Sequence, residues 1–155
     1  MITLVLGPHR VLDVPREDVR RSAVLDTVMT DEDLEVPVPL VMGLETLKLA
    51  LAFLRVTRGN KISVNRPIVS AALSENVEPR SVASIPESWT WSQTLELVKA
   101  AKALNISDLE SVAAAAAACR LFGRSPHRVF SDMGVEAPDE GDTTQVLMRQ
   151  AWMFR

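Results

Sequence analysis

Residues Thr94–Val135 read TLELVKAAKALNISDLESVAAAAAACRLFGRSPHRVFSDMGV. Leu97, Ala100, Ala101 and Leu104 recur at i, i+3, i+4 and i+7, the spacing of one face of an α-helix. Ser107 then ends one helix and opens the next, as an N-cap with Glu110 at the capping-box position. The second helix is predicted to run to Gly123, a residue that tolerates the left-handed conformation of a C′ position. Ser125-Pro126 starts a third, short helix, with serine as N-cap and proline at the first helical position. It is expected to end near Gly134. The result is a helix–turn–helix–turn–short-helix array whose side chains are leucine, valine and alanine, groups that pack rather than react.

Upstream, the periodicity changes. Ile2, Leu4 and Leu6 alternate with Thr3 and Val5, the pattern of a half-buried strand. Gly7-Pro8-His9 is a turn, and Arg10–Val14 returns as the second strand of a hairpin. Asp18–Met29 is predicted as one helix, with Val24, Leu25 and Val28 on its apolar side. Thr30–Glu35 is acidic and exposed. Val36–Leu40 is extended, and its two prolines, which cannot donate to a ladder, make it an edge segment. Gly43–Arg58 is a helix that is apolar nearly all round, so burial on most sides is expected, with the helix as hub of the N-terminal half. Gly59–Ser88 carries Pro67, Pro79, Pro86 and scattered charge. It reads as a variable loop, either disordered or a functional insertion, with Gly59–Ser84 as the most mobile internal segment. A short strand within Ile62–Val69 is possible on pattern. Trp89 and Trp91 lead into the central helices. Glu136–Asp142 is an acidic linker, and Asp142 with Gln145 opens a last helix carrying Val146, Leu147, Met148, Trp152 and Phe154.

Composition narrows the function. A chain of 155 residues holds one domain, or one plus an extension. The net charge is only −3 and no basic stripe occurs, so nucleic acid is not an expected partner. No apolar run is long enough to span a bilayer, and Met1–Leu6 is too short for a signal peptide. An intracellular, soluble protein is expected. The single Cys119 excludes an intramolecular disulfide and reads as a small buried apolar residue. One cysteine and two distant histidines make a zinc site improbable. His9 and His127 read as surface or capping-region residues, and Asp31-Glu32-Asp33 as a solvated acidic loop. The glycines are isolated turns and helix ends, with no phosphate-binding pattern. No enzyme, cofactor or metal is expected. Two features instead ask for a partner. The terminal Trp152-Met153-Phe154 either folds back on the chain's own core or completes a groove. Ala113–Ala118 either packs internally, as strong helix propensity allows, or lets a partner helix approach closely.

The order of these elements resembles the S-phase-kinase-associated adaptor (Skp) family, the BTB/POZ-fold proteins that link F-box proteins to a cullin in SCF ubiquitin ligases. The residues that carry the resemblance are Leu95, Glu96, Leu97, Ala100-Ala101, Leu104, Asn105 and Ile106, then Gly123, Arg124 and Ser125-Pro126, and Trp152 in the last helix. The hairpin and Val36–Leu40 align as well. The likeness covers nearly the whole chain outside Gly59–Pro86. It implies an α/β BTB/POZ-like N-terminal unit, a small sheet flanked by helices, followed by a C-terminal α-helical extension. Its division would be an N-terminal half at 1–58, a variable loop at 59–88, completing helices at 89–123 and F-box-binding helices at 124–155. It further implies a non-catalytic adaptor of cytoplasm and nucleus, with no nucleic-acid or membrane partner. The implied F-box surface is Leu95, Val98, Ala114, Ala117, Leu121, Val129, Val135, Val146 and Trp152. The implied cullin surface is Val38, Pro39, Lys102 and Ala103. Lys102-Ala103 stands where the family usually shows an Asn-Tyr pair, and several positions that are bulky in the family are alanine. The alternatives are an F-box-binding subunit of a structural assembly outside ubiquitination, such as a kinetochore, and an elongin-C-like adaptor. The helix with Trp152 separates this chain from the latter, which stops soon after the second C-terminal helix.

Overall fold

The computed structural model describes residues 1–7, 10–29, 35–38 and 42–136. The chain divides after Phe122 into two units. The first opens with the expected hairpin. Strand β1 (Ile2–Gly7) pairs antiparallel with β2 (Arg10–Val14), with Ile2 opposite Val14 and Leu4 opposite Leu12. Strand β3 (Glu35–Pro37) lies parallel to β1 on its other side, giving the order β2-β1-β3. β3 is therefore an edge, as Pro37 requires. Alternation fixes the faces: Ile2, Leu4, Val14 and Val36 are buried, while Thr3 Oγ1 donates to Asp13 Oδ1 at 2.6 Å across the hairpin.

The single helix expected over Asp18–Met29 is two short ones, α1 (Arg16–Val19) and α2 (Ala23–Val28). The break falls at Ser22, which is extended (φ −97°, ψ 115°) and N-caps α2 by accepting from Leu25 N–H. The same hydroxyl donates to the carbonyl of Leu104 at 2.6 Å, 82 residues away. A buried hydroxyl with both its donor and acceptor used offsets the cost of its desolvation. The apolar period of Val24 and Leu25 was legible; the competing cap was not.

Helix α3 (Leu44–Val56) buries Leu47, Ala50, Leu51, Phe53 and Leu54. Burial on nearly all sides does not occur. Leu44 and Leu49 are half-buried and Val56 is 64% exposed, so the helix presents one broad apolar stripe. That stripe meets α1 and the two long helices that follow.

The segment 59–88, expected as a variable loop, is built. Strand β4 (Ser63–Val64) pairs antiparallel with β5 (Val77–Glu78), a 3₁₀ turn covers Leu73–Glu75, and α4 spans Arg80–Glu87. The pattern-based strand is thus found, but only two residues long. Leu73, Val77, Val82, Ala83 and Pro86 are buried. Asn76, 1% exposed, organises the segment. Its Oδ1 accepts from Val69 N–H at 2.8 Å, and its Nδ2 donates to the carbonyls of Ser70 at 2.8 Å and Ala72 at 2.9 Å. One side chain supplies the partners that a ladder would otherwise give these backbone groups.

Helices α5 (Trp91–Ala103) and α6 (Ser107–Leu121) pack on each other and on α3. Their shared core includes Leu97, Ala101, Leu104, Leu109, Val112 and Ala113. Trp89, just before α5, is buried and lies 6.4 Å from the Phe53 ring, tilted by 54°. The capping box sits at α5. Thr90 Oγ1 accepts from Gln93 N–H, and Gln93 Oε1 accepts from Thr90 N–H. The box expected at Ser107 and Glu110 does not form: Ser107 is already the first residue of α6, and its N-cap is Ile106. The turn is closed from the α5 side instead. Asn105 is left-handed (φ 52°), Ile106 N–H donates to Ala101 O at 2.9 Å and Asn105 N–H to Lys102 O at 3.2 Å. That pair of bonds is a Schellman arrangement. At the far end of α6, Gly123 takes φ 72°, the left-handed position expected of it.

The second unit begins at Gly123 and is described to residue 136. Helix α7 (Pro126–Asp132) starts as predicted: Ser125 Oγ accepts from Arg128 N–H, and Pro126 is the first helical residue. Gly134 follows at φ 66°, and Arg124 pairs with Asp132. The architecture is mixed α/β. A small three-stranded sheet, a two-stranded ribbon and seven helices are present among the described residues.

Candidate interaction surfaces

The outer face of α6 carries small and apolar side chains. Ala113, Ala115, Ala116 and Cys119 turn inward and are buried. Ala114 is exposed, while Ala117, Ala118 and Leu121 are half-buried. Phe122, the C-cap, is 45% exposed. The alanine run therefore packs internally on one face and turns the other outward. Ala114, Ala117 and Leu121 fall at i, i+3 and i+7, one row along the helix. On α5, Leu95 and Val98 are half-buried at i and i+3, and Lys102 continues that row in solvent. In the second unit Val129 is half-buried and Val135 is 51% exposed. Val146 and Trp152 lie outside the described residues.

The residues expected to face a cullin are spread over two elements. Val38 follows β3, is half-buried, and donates its N–H to Val5 O at 2.9 Å. Lys102 and Ala103 are exposed in the last turn of α5. Among the described residues no hydrogen bond or ion pair joins Val38 to this pair. Pro39 lies outside the described residues, as do His9 and Asp31-Glu32-Asp33.

Two features were not found by sequence reasoning. The first is a cleft of about 250 Å³ between α6 and the chain leaving β4. Val64, Pro67 and Ile68 form one wall, and Ala114, Ala115 and Ala118 the other. Arg66 crosses its mouth, donating from Nη2 to Ser111 Oγ at 3.1 Å. The only sequence signal was the alternation around Val64; the closure of this segment onto α6 is long-range and leaves no local pattern. The second is a buried carboxylate. Asp18 is fully buried in α1. Its Oδ1 takes Arg58 Nη2 at 2.5 Å, and Arg55 Nε stands 3.5 Å from Oδ2. Glu17 also reaches Arg58, at 2.6 Å. The hydrogen bond that Arg58 donates to Asp18, with the carboxylate's charge, raises the pKa of Arg58 above its ordinary value, so the guanidinium stays charged. This cluster pins α1 to the end of α3.

Burial pushes the Cys119 thiol above its ordinary 9.0, opposed by the hydrogen bond that Asn76 Nδ2 donates to Sγ at 3.4 Å. A thiol in that setting is protonated at neutral pH and a poor nucleophile. His127 is exposed on α7. Among the described residues no group of three or more His, Cys, Asp or Glu could hold a metal ion, and no helix is long and apolar enough to cross a membrane. No protein-family model matches this chain, and no curated protein matches it either.

Proposed function

We propose that this chain is a divergent Skp-type adaptor. It has a BTB/POZ-like unit and carries no catalysis. It binds F-box proteins through α5 and α6 and bridges them to a cullin, in cytoplasm and nucleus. The observation that carries the reading is the outer row of α6. Ala114, Ala117 and Leu121 leave an apolar helix face with small side chains on which a partner helix can approach closely. The order of chain elements described above supports it: hairpin, edge strand, buried helix, then paired helices ending at a left-handed glycine.

A second reading rests on a specific observation. Lys102 and Ala103 are both solvent-exposed at the end of α5 and present no aromatic ring. Aromatic anchors commonly contribute about 2 kcal/mol or more at an interface centre. An F-box-binding subunit of an assembly without a cullin accommodates that better.

The test is a titration of the purified chain with a panel of purified F-box domains and, separately, with a cullin N-terminal domain. Micromolar or tighter binding of at least one F-box is expected. Ala117→Glu, which places a charge in the row, is expected to weaken it about tenfold or more. If no F-box domain binds, or if Ala117→Glu binds as the parent does, the adaptor reading fails. F-box binding without cullin binding selects the second reading.

A further inference from the structure

We propose that the cleft between α6 and the Val64–Ile68 segment is a separate docking site. Its occupant is a short peptide segment of a partner protein, carrying one medium-sized apolar side chain beside an Asp or Glu. This goes beyond the F-box reading, which shares Ala114 with the cleft and otherwise concerns the Ala117 and Leu121 side of α6.

Size sets the class of occupant. The cleft holds about 250 Å³, below the roughly 300–1,000 Å³ typical of pockets for cofactors and drug-sized ligands. It suits a single side chain with part of its backbone. The walls set the polarity. Val64, Pro67, Ile68, Ala114, Ala115 and Ala118 offer carbon, so the inserted group is apolar.

Charge complementarity sets the neighbour. Arg66 is exposed, yet its guanidinium is held over the mouth by the bond to Ser111 Oγ. Among the described residues no carboxylate pairs with it. That differs from Arg55 and Arg58, which share Asp18, and from Arg124, which has Asp132. A planar guanidinium fixed at one nitrogen keeps further donors free in a geometry that matches a carboxylate. An apolar floor with a positioned, acid-free cation at its lip therefore fits an apolar–acidic pair of residues.

The test uses three blocked dipeptides as probes: acetyl-Leu-Glu-amide, acetyl-Leu-Gln-amide and acetyl-Leu-Lys-amide. Each is titrated into the full chain while backbone amide NMR shifts are followed. The glutamate probe is expected to move the amides of Ser111, Ala115 and Ala118, with a Kd on the order of 1 mM, as small ligands allow. It should bind about two- to fivefold more tightly than the glutamine probe, the gain of a partly exposed ion pair. Arg66→Glu should reverse the order and favour the lysine probe. Ala118→Leu, which fills the cleft without changing charge, should abolish binding of all three; a dispersed spectrum for each variant confirms that it is folded. Equal binding of the three probes by the parent overturns the proposal, as does binding that survives Ala118→Leu. Shifts at these amides that follow protein concentration without any probe would mean that a second copy of the chain fills the cleft, and would overturn it too. Ala117→Glu is expected to leave the dipeptide titration unchanged, so failure of the F-box reading and failure of this one are separable.

Discussion

Replacing Asn76 by alanine should unfasten the segment between β4 and β5. The side chain is buried and makes three hydrogen bonds to backbone, with Val69 N–H, Ser70 O and Ala72 O, at 2.8, 2.8 and 2.9 Å. Each such bond contributes about 1 kcal/mol net, so three give about 3 kcal/mol. Water can reach part of what is left, since Val69 is 62% exposed, which lowers the expected loss to about 2–3 kcal/mol. For a unit of this size that corresponds to a fall in Tm of about 10 °C. Urea denaturation gives the free energy, and limited proteolysis reports the place. New cleavage within 69–72 is expected in Asn76→Ala and not in the parent. A loss under about 1 kcal/mol with those residues still protected would show that packing of Leu73 and Val77, not the amide, holds the segment.

Further expectations follow from other contacts. Arg58→Ala strips the main partner from the buried Asp18 carboxylate, whereas Asp18→Asn removes the charge itself. Urea midpoints should therefore fall further for Arg58→Ala than for Asp18→Asn, and the opposite order would mean that Arg55 alone neutralises the site. Thr90→Ala removes one half of the capping box at α5 and should cost about 1 kcal/mol by the same assay. Cys119, protonated well above neutrality, should alkylate with iodoacetamide much more slowly in the native chain than in urea. Because its folded pKa lies above its ordinary 9.0, the stability tied to its proton is complete below that value. It is lost as pH rises through the folded pKa. Cys119→Ser should flatten that alkaline decline.

Much of the fold was readable because its signals are local. The alternation of Ile2, Leu4 and Leu6 specified a hairpin, and the spacing of Leu97, Ala100, Ala101 and Leu104 specified α5. Ser125-Pro126 marked the start of α7. What escaped was decided by partners far along the chain. Ser22 breaks a helix because its hydroxyl also reaches Leu104, and nothing near residue 22 announces that. The Ser107–Glu110 spacing fits a capping box, but the backbone satisfied its needs through Asn105 and Ile106 instead, one residue upstream. Asn76 looks like any turn asparagine until it is buried; its role exists only because Cys119 and the 69–72 backbone surround it. At the candidate surfaces, the small side chains of α6 were visible in sequence. Which of them face out, and the cleft guarded by Arg66, depend on where the β4 segment lands.

The edge strand has a consequence for the protein in a crowded solution. Val38 turns its N–H inward to Val5, so by alternation residue 37 directs its nitrogen outward. That residue is Pro37, which has no hydrogen to offer. A strand from a neighbouring molecule arriving at β3 would find no donor at the last residue of a three-residue edge. Open β-edges are templates for self-assembly, and here the template is blank at its end. Addition of a strand at β3 is disfavoured at that residue.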